Sequence, residues 1–182
     1  MSTGQTAYYF GAFDPIHEGH LTLAQAAYEQ FGFARIVFVL AYCPPNKLPE
    51  RHSHSLPANF EVRAHQAQKV LSAYPFCELS LIESDLAVPT YTIDTLRALV
   101  PNFETRHQDI PFLMGADSFE TIQSWKAAEE LATRLWFCVA PRFGASADTV
   151  PMMLDDKTPL RVDLIHMAPV DVSSTALRAF IT

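Results

Sequence analysis

Ala7-Tyr8-Tyr9-Phe10-Gly11-Ala12-Phe13-Asp14-Pro15-Ile16-His17-Glu18-Gly19-His20 is the stretch on which the reading of the chain turns. Residues 7–10 are an apolar run of strand length, and a helical pattern starts near Gly19, so a strand passes into a helix through one short turn. That helix is expected over 19–31, because Leu21, Ala24, Tyr28 and Phe31 share a face and Gly32 supplies a stop. A helix that starts there offers unpaired backbone N–H groups and a partial positive charge, which together suit a phosphate. His17 and His20 place two further hydrogen-bonding rings in the same turn. Gly11 leaves the strand end open to a ligand, Pro15 stiffens the turn, and Gly19 leaves room between the imidazoles.

Working outward, apolar runs of strand length recur at 36–40, 78–82, 110–114, 135–139 and 162–167, with helical patterns between them. A second helix is expected over 59–73, capped by Asn59 and stopped before Tyr74-Pro75, and a third from Thr92. Asp117 followed by Glu120 gives a capping-box-like start to a fourth, which breaks, resumes near Trp125 and ends around Ala132. Ser173 and Ser174 open a last one. This alternation predicts an α/β chain built as a Rossmann-like, doubly wound, mostly parallel sheet with helices on both faces. The stretches 42–57 and 141–159, rich in Pro, His, Ser or Asp, read as surface loops after the second and fifth strands. Ligands of open parallel sheets bind at that edge. With no repeat and no linker, residues 1–182 are expected to form a single domain.

Composition narrows the partners. The chain has 182 residues, 49% of them hydrophobic, enough for a sizeable core. A formal charge of -7 argues against a nucleic-acid surface, which needs clustered Lys and Arg, so a polyanionic small ligand would require a local basic pocket. Cys43, Cys77 and Cys138 stand far apart without CxxC spacing, and are read as reduced structural thiols. No apolar run reaches membrane-spanning length and the first six residues lack a signal pattern, so a cytoplasmic protein without a membrane partner is expected. Nothing in the pattern speaks to oligomeric state.

The histidine pair has a second reading, as ligands of zinc, but no third ligand stands near it, and no metal site is assigned. His52 and His54 read as solvated loop side chains. Asp14 either bonds turn amides or orders the histidines, and is given no chemistry. Ser173, Ser174 and Thr175 start a helix whose amides suit a second phosphate contact, with Arg178 one turn further on.

Gly11-Ala12-Phe13-Asp14-Pro15-Ile16-His17-Glu18-Gly19-His20 resembles the GxFDPxHxGH signature of the HxGH nucleotidyltransferases. Four later segments follow in the order that family shows. Pro44-Pro45-Asn46-Lys47 is similar to a PPHK loop, and Pro89-Thr90-Tyr91-Thr92-Ile93-Asp94-Thr95-Leu96 to PSYTxDTL. Gly115-Ala116-Asp117-Ser118 with Trp125 is similar to GxDS and its downstream Trp, and Val172-Ser173-Ser174-Thr175-Ala176-Leu177-Arg178 to ISSTxIR. Taken singly, each has a plainer reading: a loop lysine, a helix start, a cap, a core aromatic, another cap. Together they resemble the nicotinate-nucleotide adenylyltransferase branch over nearly the whole chain.

The resemblance implies transfer of AMP from ATP to a pyridine mononucleotide. It implies catalytic contacts from His17, His20, Lys47 and Arg178, with ATP held by Gly11, Phe13, Gly115, Asp117, Ser173, Ser174 and Thr175. Thr92 and Trp125 would lie by the acceptor ring, Mg²⁺ would accompany ATP, and Arg142 is a weaker triphosphate contact. Three features depart from the pattern: Phe10 replaces the first glycine of GGxFDP, Asn46 replaces the histidine of PPHK, and the chain stops shortly after Arg178, naturally short or trimmed. The acceptor is therefore left between nicotinate mononucleotide, nicotinamide mononucleotide and, less favoured, phosphopantetheine. A nucleotide-binding sensor without turnover is the non-enzymatic alternative.

Overall fold

In the computed structural model, which describes residues 4–45, 59–141 and 153–167, the sheet has six strands: β1 (Thr6–Gly11), β2 (Arg35–Leu40), β3 (Cys77–Ser80), β4 (Ile110–Gly115), β5 (Leu135–Ala140) and β6 (Arg161–Leu164). All pairings are parallel, in the order β3-β2-β1-β4-β5-β6. Helices α1 (Glu18–Phe31) and α2 (Phe60–Leu71) cover one face, and α3 (Thr92–Leu99), α4 (Ala116–Phe119) and α5 (Ala128–Arg134) the other.

Period-two alternation sorts the strand side chains between the two layers. Ala7, Tyr9, Ile36, Phe38, Leu40, Leu113, Trp136 and Cys138 pack with Ala24 and Ala27 of α1 and Ala64 and Ala67 of α2. Tyr8, Val37, Val39, Phe112, Met114, Phe137 and Val139 pack with Ile93, Leu96, Leu131 and Ala132. Both faces are buried, hence the continuous apolar runs. On α1 the fully buried line is Leu23, Ala24 and Ala27; Leu21, Tyr28 and Phe31 flank it. Gly32 ends the helix at φ 64°, donating its N–H to the Tyr28 carbonyl at 3.0 Å.

Several sequence expectations shift. The third strand ends at Ser80 rather than 82, because the chain enters a 3-10 turn (Ile82–Asp85) that carries Glu83 into the interior. The sixth ends at Leu164, where the β5 register runs out at Val139. Asn59 precedes α2 without capping it by its side chain; its Oδ1 instead accepts from Arg63 Nε at 2.8 Å. Asp117 is not a cap either: Gly115 is the N-cap of α4, and Asp117 stands inside its first turn. The break and resumption near Trp125 is a 3-10 turn (Ile122–Ser124) followed by α5. Cys43, Cys77 and Cys138 are unpaired, and burial pushes the Cys77 thiol up to about 12. Among the described residues no helix is long and apolar enough to cross a membrane. The proposed last helix lies outside the described residues.

Candidate active site

The strand order reverses between β1 and β4, so the chain leaves the two neighbouring strands toward opposite faces and a crevice opens beyond their carboxyl ends. Two compartments occupy it. The smaller, about 210 Å³, is lined by Tyr9, Gly11, Phe13, His20, Met114 and Gly115 among others. The larger, about 610 Å³, is lined by Ala12, Ala41, Thr90, Tyr91, Thr92 and Lys126 among others. Phe10, Gly11, Ser118 and Trp125 border both.

The β1–α1 turn is set by aromatic packing. Phe13 adopts a left-handed φ of 43° and is only 2% exposed, its ring edge-on to Tyr9 at 5.4 Å and to His20 at 5.0 Å. Gly11 has no room for a side chain, since a Cβ there would stand 2.8 Å from the Phe13 ring. At Gly115 a Cβ would meet nothing within 4 Å, so that glycine opens directly onto the smaller compartment.

His17 is the N-cap residue of α1, and its ring stacks on His20 with centroids 3.7 Å apart. The His17 backbone N–H donates to His20 Nδ1 at 3.2 Å, the return half of a capping box. This bond assigns the tautomer of a neutral His20: Nδ1 accepts, so Nε2 carries the proton and is the donor left for a ligand. Burial, with a smaller contribution from His17, lowers the His20 pKa to about 3, and burial lowers that of His17. Both rings are neutral at pH 7. His17 Nδ1 is buried without a hydrogen-bond partner among the described residues, and no third metal-type ligand joins the pair there.

The opposite wall is braced from within. Glu83, 4% exposed, accepts from the Tyr42 N–H at 2.9 Å and the Thr90 hydroxyl at 2.7 Å through Oε2, and from the Thr95 hydroxyl at 3.0 Å through Oε1. Thr90 and Cys43 also exchange hydrogen bonds, so the segment leading into α3 is tied to the loop after β2. Arg63, 1% exposed, donates to the Ala12 carbonyl at 2.6 Å and the Ala41 carbonyl at 2.9 Å, fastening that loop to the β1–α1 turn. Thr92 begins α3, where the helix leaves N–H groups unpaired. Trp125 is half-buried, its Nε1–H held by Thr121 Oγ1 at 3.2 Å; its ring packs edge-on to the core ring of Phe112 at 6.2 Å, and the residue lines both compartments.

Thus Gly11, Phe13, His20, Gly115, Thr92 and Trp125 gather around one crevice, with His17 stacked behind His20. Asp117 is exposed and lines neither compartment, because the turn of α4 presents Ser118 there instead. Lys47, Arg142, Ser173, Ser174, Thr175 and Arg178 lie outside the described residues, as do Asn46, His52 and His54. Residues missed by motif reading are Ser118 and Tyr91, which stood inside quoted motifs, and Glu83, Arg63 and Lys126, which stood outside them. A charged residue at a strand exit or among buried helix positions was the available signal for Glu83 and Arg63.

A parallel 3-2-1-4-5-6 sheet with paired compartments at its switch point and imidazoles at the first helix defines a nucleotide-binding α/β protein. A family model described as cytidylyltransferase-like matches residues 8–180, and the chain belongs to that family. It is 34% identical over 171 residues to a probable nicotinate-nucleotide adenylyltransferase of Acidothermus cellulolyticus, covering 92% of this chain and 78% of the relative. A protein of the same name from Desulfotalea psychrophila is 34% identical over 182 residues, covering 92% and 83%. The fold matches that of the Plasmodium falciparum nicotinic acid mononucleotide adenylyltransferase complexed with NaAD, with a TM-score of 0.72 at 22% identity over 98% of this chain and 84% of that one.

Proposed function

We propose that this chain transfers AMP from ATP to nicotinate mononucleotide, producing the deamido dinucleotide of NAD biosynthesis and pyrophosphate. The observation that carries the reading is the pair of joined compartments, one floored by a neutral His20 whose proton sits on Nε2, the other walled by Thr92 and Trp125. The relatives named above bear the same activity in their names.

In the reaction an oxygen of the acceptor phosphate attacks the α-phosphorus of ATP. The bond from that phosphorus to the bridging oxygen breaks, and pyrophosphate leaves with the electron pair. The nucleophile is already ionised at pH 7, so no general base is needed, and the work is alignment of two anions and stabilisation of charge on the transferred group. His20 donates from Nε2, and His17 holds it in register through the Nδ1 bond and the ring stack. Phe13 serves by fixing the His20 ring, and Gly115 by leaving space. Trp125 offers a fixed aromatic face to the pyridine ring, with N–H groups of the α3 start beside it. Lys47 and Arg178 supply positive charge, the hydroxyls of Ser173, Ser174 and Thr175 further hydrogen-bond donors to the triphosphate, and Asp117, in the first turn of α4, helps hold the adenosine or orders the loop beside it. Mg²⁺ would come with ATP as part of the substrate and would supply neutralisation of the charge on the leaving pyrophosphate. These substrates belong to the cytoplasm, and one domain spanning residues 1–182 holds the whole site.

The test is pyrophosphate release from ATP and Mg²⁺ with a panel of phosphorylated acceptors. Release that requires nicotinate mononucleotide supports the reading. Release with phosphopantetheine alone, or ATP binding with no release on any acceptor, refutes it.

A further inference from the structure

Among the described residues lining the two compartments, Lys126 is the one side chain that carries a positive charge. It follows Trp125 directly, at the rim of the larger compartment. Its Nζ lies 2.7 Å from Asp94 Oδ2 and 4.4 Å from the centroid of the Tyr91 ring, and the side chain is 48% exposed. Asp94 is shared, since Arg97 Nη1 approaches its other oxygen at 3.7 Å. The anionic side chain lining the compartment, Glu83, is committed to its internal donors and buried. A flat ring lying on Trp125 therefore meets an ammonium at the rim whose counter-charge is already divided between two cations.

A pyridine ring bearing a carboxylate and one bearing a carboxamide have nearly the same size and shape. Backbone N–H groups at the start of α3 can donate to either. What separates the two is charge, because an ammonium forms a charge-assisted hydrogen bond with the carboxylate and only an ordinary one with the amide oxygen. An amide also presents N–H donors that find no use for Lys126, which has no acceptor to offer. We propose that Lys126 is a specificity-determining residue that makes the larger compartment select the acid form of the pyridine mononucleotide over the amide form. Asp94 opposes that selection: it draws the ammonium toward the rim and repels an incoming carboxylate.

The inference rests on the acceptor being a pyridine mononucleotide, as argued above, and the experiment separates the two claims. Initial rates are measured on the full chain with ATP, Mg²⁺ and either nicotinate or nicotinamide mononucleotide, giving kcat/KM for each. In Lys126→Gln the acid-to-amide ratio of kcat/KM drops about tenfold, the scale of one partly screened charge-assisted contact, and the drop falls mainly on KM for the acid. Lys126→Arg keeps most of the ratio, and Asp94→Asn raises it. Equal losses on both acceptors in Lys126→Gln, or an unchanged ratio, overturn the role of Lys126 while leaving the reaction in place. A wild-type chain that uses neither mononucleotide overturns the reaction itself, and the inference with it.

Discussion

On the β1 side of the crevice His17 and His20 are neutral and stacked at 3.7 Å, with Phe13 and Tyr9 packed against His20, whereas on the α3 side Lys126 and Asp94 form an ion pair at the rim above a buried, fully engaged Glu83. The first wall keeps charge out. Burial holds both imidazoles below their ordinary pKa, so donors can be fixed by packing without the self-repulsion that two adjacent imidazolium ions would bring. The second wall places its cation where water screens it. Such a charge adds little to stability but still discriminates between ligands that differ only in charge. The difference teaches that one cleft can use shape and tautomer to hold a triphosphate and net charge to choose an acceptor.

The strongest way to break this comparison is to remove the neutral donor. His20→Ala should lower kcat/KM for adenylyl transfer by about 3 kcal/mol, roughly a hundredfold, as loss of a preorganised charge-stabilising donor does. Steady-state pyrophosphate release checks it, with circular dichroism to establish folding. Activity near wild type would remove His20 from the mechanism.

His20 also makes stability depend on pH. Its folded pKa of about 3 lies below the ordinary 6.5, so the unfolded chain binds a proton that the folded one refuses. The stabilisation is complete above 6.5 and is lost as pH falls toward 3. Urea unfolding between pH 7 and pH 5 should therefore show a steeper loss of stability in wild type than in His20→Gln, which has no imidazole to protonate. Identical slopes in the two proteins would mean that His20 is not held neutral by the fold.

On the other wall the larger effect belongs to the brace. Glu83→Ala leaves the Tyr42 N–H and the Thr90 and Thr95 hydroxyls without their acceptor in a buried place, and should cost about 2 kcal/mol of unfolding free energy. Chemical denaturation measures it. The same change should raise KM for the acceptor more than for ATP, because Thr90 leads into Thr92 and not into the imidazole turn.

The two walls were unequally legible in the sequence. Helix α1, its glycine stop and the parallel sheet follow from periodicity and local chemistry, both written in neighbouring residues. The histidines stood out because their spacing and their place at a strand exit are local too. Glu83, Arg63 and Lys126 did not, because what makes them matter is distant: Glu83 reaches Tyr42 across 41 positions, Arg63 reaches Ala12 across 51, and Lys126 reaches Asp94 across 32. Asp117 misled for the converse reason, since its helix begins two residues earlier than its capping pattern implies, and Ser118 takes the place at the cleft.

The smallest effect concerns the reach of the charged rim. Arg97 binds Glu104 at 3.1 Å, Glu130 at 2.8 Å and, more distantly, Asp94, all with substantially exposed side chains. Exposed pairs of this kind are worth little, so Arg97→Gln should change stability by less than about 1 kcal/mol. Yet it hands Asp94 wholly to Lys126, tightening the ion pair that competes with an acceptor carboxylate. The acid-to-amide ratio of kcat/KM should therefore fall by about twofold, opposite in sign to Asp94→Asn, and the fall should shrink with added salt as screening weakens the competition. A fall as large as that in Lys126→Gln would mean that this guanidinium, and not the ammonium beside Trp125, sets the potential felt at the acceptor ring.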